Sequence, residues 1–255
     1  YAFDSNGQPS AVKDPAGTIT RTFYDAAGRV SSTGVNCTTT GTTLPSPWAT
    51  CSAGGTHDGT WNLTTSYTYD SRGNKATETA PNGRVTSFTY DLAGRVVTRT
   101  DDVGVTNLLT TYYYDELGNQ VAIKAPTTNG ATFAVTRFVY DGYGRVTSEI
   151  RSCTSSGTTV PAAPEACTGA GTKDAQTNLE TTYAYDARGN RIRLAVPDPA
   201  ATNGTSLLTV TTQYAYDGAD RLCRVVENAT GSTNLQTLGN PCSDTTQTTT
   251  PAGTN

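Results

Sequence analysis

The residues able to do chemistry are few and scattered. His57 is the only histidine in the 255 residues, and it stands beside Asp58. An acid–base pair of that kind needs a nucleophile within reach, and no Ser or Cys in a recognisable catalytic context accompanies it, so the pair reads as an exposed loop. Asp101 and Asp102 offer two carboxylates. Neighbours on a strand point to opposite faces, however, and with Gly104 close by they read as the opening of a turn. An aspartate recurring along the chain raises the idea of a calcium ladder, but such an ion takes roughly six to eight oxygens and each recurrence brings one carboxylate. No glycine-rich phosphate loop leads into a helix. The expectation is a chain with no catalytic residue, no metal and no cofactor.

Six cysteines form three local pairs, Cys37/Cys51, Cys153/Cys167 and Cys223/Cys242, the first two with the same separation of 14. Zinc is the competing reading. The absence of any C-x-x-C spacing and the single histidine argue against it, which leaves three disulfides formed outside a reducing cytosol. Closing a loop of about 15 residues contributes roughly 3 kcal/mol in the chain-entropy model. Each pair would tie off a loop arm. Trp48 and Trp61 flank the end of the first arm, where they could stack on a sugar ring or pack on their own disulfide; Pro164 and Thr177 stand in their places in the second. Asn36, Asn62, Asn203 and Asn228 begin N-x-Ser/Thr matches, a pattern that chance readily produces in a sequence this rich in Thr.

What must position these residues is a repeated motif, seen most fully at Tyr90-Asp91-Leu92-Ala93-Gly94-Arg95. Eight copies occur, with turn residues Asp4/Gly7, Asp25/Gly28, Asp70/Gly73, Asp91/Gly94, Asp115/Gly118, Asp141/Gly144 and Asp186/Gly189, and in the eighth Asp217 with Asp220 where Gly is expected. A strand ends on the aromatic residue and Asp opens a type I turn, its carboxylate accepting an N–H two residues on. Gly in the left-handed region then adds a bulge that sends the chain into the next strand. A second, looser turn follows, as at Asp14-Pro15-Ala16-Gly17, Ala80-Pro81-Asn82-Gly83 and Asp101-Asp102-Val103-Gly104. Period-two aromatic pairs such as Phe88/Tyr90 and Tyr67/Tyr69 mark the strands and predict aromatic ladders between repeats. The fold class is all-β: an antiparallel ribbon or solenoid of hairpin repeats with three disulfide-tied arms.

Tyr-Asp-x-x-Gly-Arg recurring at this spacing resembles the Rhs, or YD-repeat, family, which includes the shells of bacterial Rhs and insecticidal Tc toxins and the barrel of teneurins. The resemblance implies a long β-ribbon wound into a hollow shell, with no catalytic role for the repeats. No toxin domain and no autoproteolytic core motif follows the repeats here, and the cysteine-bracketed arms are not part of the usual pattern.

A longer period overlays the short one. Asp25 and Asp141, Cys37 and Cys153, Cys51 and Cys167, and Asp70 and Asp186 are each 116 apart. The chain reads as one array spanning 1–255 with a duplicated block at about 25–140 and 141–255. Pro251-Ala252-Gly253-Thr254 in the tail repeats Pro15-Ala16-Gly17-Thr18, so the tail reads as a turn whose strand is missing and the head, Tyr1 to Asp4, as such a strand. The start at Tyr1 and the lack of any Met point to a processed chain or a segment of a larger one.

Apolar residues make up 35% and charged residues 16%, both low, and the Thr-rich remainder fits a sheet with a wet face. A net charge of −4 with no basic stripe argues against nucleic acid, and no apolar run is long enough for membrane insertion. The leading expectation is a non-enzymatic extracellular or cell-surface scaffold, its partners other copies of the chain joined head to tail into a filament, or the remainder of a larger repeat protein. The alternatives are a wall segment of a secreted toxin shell and a glycan-binding adhesin.

Overall fold

A computed structural model describes residues 1–38, 60, 62–127, 132–156, 163–171, 176–198, 209–227 and 242. His57, Asp58, Trp48, Trp61, Cys51, Asn203, Asn228 and the tail lie outside the described residues. The chain divides into two compact units, Tyr1–Thr111 with Ala125–Ala131, and Tyr112–Lys124 with Thr132–Asn255.

The first unit is an antiparallel meander of β1 (Ala2–Phe3), β2 (Pro9–Lys13), β3 (Ile19–Tyr24), β4 (Val30–Val35), β5 (Leu63–Tyr69), β6 (Lys75–Thr79), β7 (Val85–Tyr90) and β8 (Val96–Asp101), with the start of β9 (Leu108–Tyr114) paired to β8. The second holds most of β10 (Gln120–Pro126), then β11 (Phe133–Tyr140), β12 (Val146–Arg151), β13 (Leu179–Tyr185), β14 (Arg191–Pro197), β15 (Thr209–Tyr216) and β16 (Leu222–Val226). In both, spatial neighbours follow chain order. Within each unit every Asp-x-x-Gly turn therefore falls on one edge of the sheet, and the connections between hairpins fall on the other.

The aromatic residue of each copy closes its strand, and the register slips by one there, as between Thr89 and Tyr90 in β7 or Val139 and Tyr140 in β11. That slip is the bulge that a positive-φ residue at the fourth turn position produces. Most strand residues are only half-buried. The larger buried apolar side chains lie where the arms leave the sheet, at Ile19 and Cys37 in the first unit and at Val135, Ile150, Cys153 and Cys167 in the second, while small Ala11, Ala122, Ala195 and Ala215 are buried along the strands.

Two expectations are corrected here. The second turns at 14–17 and 80–83 are as tight as the Asp-x-x-Gly turns, with Gly17 and Gly83 N–H donated to the Asp14 and Ala80 carbonyls at 3.0 and 2.9 Å. Gly at the fourth position with φ of 92° and 80° gives them the same geometry. The aromatic rings, moreover, are not direct cross-strand neighbours. Motif aromatics occupy alternate strands, so Tyr67 faces Glu78 and Phe88 faces Arg99, and the Lys75 ammonium lies 5.7 and 4.9 Å from the Tyr67 and Phe88 ring centres. A cation spaces these two rings.

Candidate functional site

The tight-turn edge is where the charged side chains collect. In the turn at Asp25, Oδ1 accepts the N–H groups of Ala27 and Arg29, both at 2.9 Å, while Oδ2 accepts Arg29 Nε at 2.8 Å. Asp91 with Arg95, Asp141 with Arg145 and Asp217 with Arg221 repeat this arrangement. At Asp70, Asp115 and Asp186 an asparagine replaces the arginine, and Asn74, Asn119 and Asn190 Nδ2 reach Oδ2 at 3.0, 2.9 and 3.1 Å. Asp4 accepts the Asn6 and Gln8 amides at 2.9 and 2.8 Å, and the Gln8 side chain instead spans to the Gly28 carbonyl of the next turn.

The motif glycines close these turns. Gly7, Gly28, Gly73, Gly94, Gly118, Gly144 and Gly189 all take positive φ, from 75° at Gly144 to 97° at Gly189. Each donates its N–H to the carbonyl of its own Asp at 2.9–3.2 Å. All seven are exposed, so they stand on the surface of the edge and not inside a pocket. A Cβ at Gly7 would meet nothing within 4 Å, and one at Gly73 would meet only Arg29 Nη1 at 3.8 Å. The left-handed backbone, and not crowding, is what calls for glycine there.

The turn bonds also set the carboxylate electrostatics. The Arg29 side chain holds Asp25 below the usual carboxylate value, and Arg221 does the same for Asp217. Asn74 and Asn119 lower Asp70 and Asp115, and the Arg95 backbone N–H lowers Asp91. At Asp141 and Asp186 desolvation pushes upward, but hydrogen bonds from Arg145 and Asn190 outweigh it and the net direction is again down. Every one of these acids is committed to its own turn. Among the described residues no group of three or more His, Cys, Asp or Glu is arranged to hold a metal ion.

Asp220 has its own reason to stand where Gly is expected. It adopts φ of 59°, and its Oδ1 accepts Asn190 Nδ2 at 2.8 Å and Arg188 Nη1 at 3.1 Å from the preceding turn. Arg188 also donates to the Gly218 carbonyl at 3.1 Å. A shallow cavity of about 330 Å³ lies between these turns, lined by Asp186, Arg188, Ile192, Tyr216 and Asp217.

A second set of contacts joins successive hairpins, and sequence reasoning missed it. The motif tyrosine sends its hydroxyl to the carbonyl of the residue five places after the Asp of the preceding motif. Tyr24 donates to Pro9, Tyr69 to Val30, Tyr90 to Lys75, Tyr140 to Gln120, Tyr185 to Val146 and Tyr216 to Arg191, at 2.6–3.2 Å. Two of these tyrosines also lie under the arginine of that preceding turn: Arg29 Cζ is 4.3 Å from the Tyr69 ring centre and Arg145 Cζ 4.6 Å from that of Tyr185. Ring and hydroxyl are thus held at two points.

The opposite edge of each unit carries one arm gated by a clasp. In the first, Asn36 (φ 56°) ends the strand, the Cys37 N–H returns to the Ile19 carbonyl at 3.0 Å, and Asn62 (φ 54°) closes the loop with its N–H on the Asn36 carbonyl. Asn62 Oδ1 accepts the Thr38 N–H at 2.7 Å, and its Nδ2 donates to Thr38 Oγ1 at 2.8 Å. The second clasp is built alike from Ser152, Cys153, Thr154 and Asn178, with Asn178 Oδ1 to Thr154 N and Nδ2 to Oγ1 both at 2.7 Å. Thr38, Asn62, Thr154 and Asn178 are buried. Asn62 is therefore no accessible acceptor for a glycan. The same clasp shuts a plain loop: Asp102 (φ 57°) and Asn107 (φ 51°) take the two ends, the Val103 N–H reaches the Val85 carbonyl at 3.0 Å, and Asn107 Oδ1 accepts the Gly104 N–H at 2.9 Å. Asp101 and Asp102 are thereby separated in role. Asp101 ends β8 in contact with Arg99 and Thr86, and Asp102 pairs with Arg84.

Cys153 is bonded to Cys167 and Cys223 to Cys242. Cys37 is buried and disulfide-bonded, with its expected partner Cys51 outside the described residues. Two bridges of the three expected arms are thus described. The Cys153–Cys167 bridge packs with Val135 and Ile150, and Gly169 (φ 67°) lies so close that a Cβ there would come within 3.1 Å of Ile150 Cδ1. Closed disulfides place the chain in an oxidising compartment outside the cytosol.

Residues 3–42 and 69–106 match the RHS Repeat family model. No curated protein matches the sequence. Among solved structures, the crystal structure of TcdB2-TccC3-Cdc42 is similar at 20% identity over 89% of this chain and 10% of that one, with a TM-score of 0.56. TcdB2-TccC3 alone gives 18% identity over 87% of this chain and 12% of that one, with a TM-score of 0.46. The Photorhabdus luminescens Tc holotoxin pore gives 16% over 88% and 14%, with 0.41. The chain spans about a tenth of the length of the first of these structures, and the likeness to it is one of fold.

Proposed function

We propose that this chain is a non-enzymatic wall segment of a secreted Rhs/Tc-type shell, its sheet forming part of an enclosure around cargo. The observation that carries this reading is the pairing of RHS repeats with a fold shared over 89% of the chain with a structure containing TcdB2 and TccC3. The turn edge supports it, because each charged group is spent on fastening one hairpin to itself or to the next. The 116-residue duplication supplies two equivalent stretches of wall, each bearing one clasped arm, with Cys37 and Cys153 at equivalent places. The head-to-tail filament has less support: the head strand carries Phe3 where the hairpin-joining motif residue is tyrosine.

Negative-stain electron microscopy of the native polypeptide that carries this chain tests the reading. Closed hollow particles are expected. Filaments with a regular axial repeat would overturn it in favour of polymerisation.

A further inference from the structure

The geometry points to a binding site between the turns at Asp186 and Asp217: we propose that the cavity at Arg188, Tyr216 and Asp220 takes a neutral pyranose ring through two neighbouring hydroxyls. This goes beyond the wall-segment reading and does not depend on it.

Three features meet at this one place. The first is the aromatic ring. Arg29 and Arg145 cover Tyr69 and Tyr185, but the turn before Tyr216 has Asn190 at that position, its side chain given to Asp186 and Asp220. Among the described residues no cation lies over Tyr216, which lines the cavity beside Ile192 and Ala215. The second is the fourth turn position. Seven motif copies have glycine there, and the eighth sets Asp220 at φ of 59°, a backbone conformation unfavourable to any residue with a side chain. What that residue supplies is a carboxylate at the cavity. The third is what the two charged groups leave over. Asp220 accepts Asn190 Nδ2 and Arg188 Nη1 at Oδ1, and Arg188 shares that same Nη1 with the Gly218 carbonyl. Asp220 Oδ2 and Arg188 Nε and Nη2 have no partner among the described residues. The two side chains are 57% and 48% exposed, so a ligand reaches them from solvent.

The chemistry also selects the ligand. An acceptor and donors fixed side by side match two adjacent hydroxyls, one donating to the carboxylate and the other accepting from the guanidinium. The Arg188–Asp220 pair is neutral as a whole. A phosphate would be repelled by the carboxylate and an ammonium by the guanidinium, whereas an uncharged polyol meets neither penalty. Tyr216, Ile192 and Ala215 offer apolar surface to the C–H face of a sugar ring, and about 330 Å³ suits one ring at the small end of ligand sites. The turns at Asp70 and Asp91 give the contrast within the same chain. Arg72, Asn74 and Tyr90 recur there, but Gly94 stands where Asp220 does and Ala76 where Ile192 does, so that place has no such carboxylate.

Saturation-transfer difference NMR on the oxidised full chain tests the site, with the methyl pyranosides of glucose, mannose and galactose titrated separately. Saturable binding of at least one is expected, weak because the site is shallow and wet. Asp220→Gly restores the motif glycine and so keeps the turn; it should weaken binding about tenfold, the loss of one hydrogen bond to a charged group. Arg188→Ala should do the same, while Arg72→Ala should leave the affinity unchanged. No saturable binding of any of the three sugars, equal affinity in Asp220→Gly, a loss on Arg72→Ala, or displacement of the sugar by inorganic phosphate would each overturn the site. Hollow particles with no sugar binding would remove the site and leave the wall reading standing.

Discussion

At the scale of single residues, the motif tyrosine does more than end a strand. Its hydroxyl satisfies a carbonyl of the neighbouring hairpin, so Tyr69→Phe should leave the Val30 oxygen without its partner and cost about 1 kcal/mol. Urea denaturation of the variant beside the parent measures this, and an unchanged midpoint would mean that solvent replaces the bond at no cost. The turn residues themselves are legible in the sequence. Asp25, Gly28 and their repeats act within four residues of one another, and that range is what a motif displays. The tyrosine's acceptor is not legible, because it is a backbone atom 15–39 residues away whose position follows from strand register and not from any side chain. Nor does the sequence show Asn62 for what it is. Its N-x-Thr match reads as a modification signal, while its side chain is enclosed with Thr38.

At the scale of elements, the clasp and the disulfide divide the work of holding an arm. Asn178→Ala removes both bonds to Thr154 and puts a Cβ-bearing residue without local hydrogen bonding at φ of 53°. The expected loss is about 3 kcal/mol in chemical denaturation, from a buried amide left unsatisfied plus the left-handed backbone. Replacing Cys153 and Cys167 together by Ser should cost up to roughly 3 kcal/mol by loop entropy, yet leave the Thr154 amide protected in hydrogen exchange. Rapid exchange at Thr154 in that double variant would show that the disulfide, and not the clasp, seats the arm. The sequence displays the arms through cysteine spacing and their recurrence at an interval of 116. It hides the clasp because the Asn-Leu-x-Thr-Ser/Thr-Tyr run that Asn62, Asn107 and Asn178 each open reads as the start of a strand, while Thr38 and Thr154, which the first and third of them hold, lie 24 residues back; what the three also share is a left-handed backbone at the foot of a loop. The aromatic ladder fails for a related reason. Period two along a strand says which residues share a face, but says nothing of the strand that lies between two aromatic ones.

At the scale of the whole molecule, seven turn carboxylates, at Asp25, Asp70, Asp91, Asp115, Asp141, Asp186 and Asp217, are all held below the ordinary value of 3.8. A depressed folded-state pKa contributes stability that is fully present above the unfolded value and is lost as the pH falls through the folded one. The thermal midpoint should therefore stay level from about pH 7 to about pH 5 and decline only below about pH 4. Calorimetry across that range checks it, and a decline that begins near pH 6 would assign the sensitivity to other groups.

The clasp at Asp102–Asn107 closes across five positions, and those at Asn36–Asn62 and Ser152–Asn178 close across 26 with the same bonds to backbone N–H groups. Since loop entropy costs only about 0.6 kcal/mol per doubling of length, the step from the short form to the long one costs roughly 1.5 kcal/mol. Each clasp is thus a port that takes in new sequence without disturbing the strands on either side. A foreign epitope grafted between Gly104 and Asn107 would be displayed from a fixed stem, and the chain's habit of repetition becomes, at this edge, a capacity for ornament.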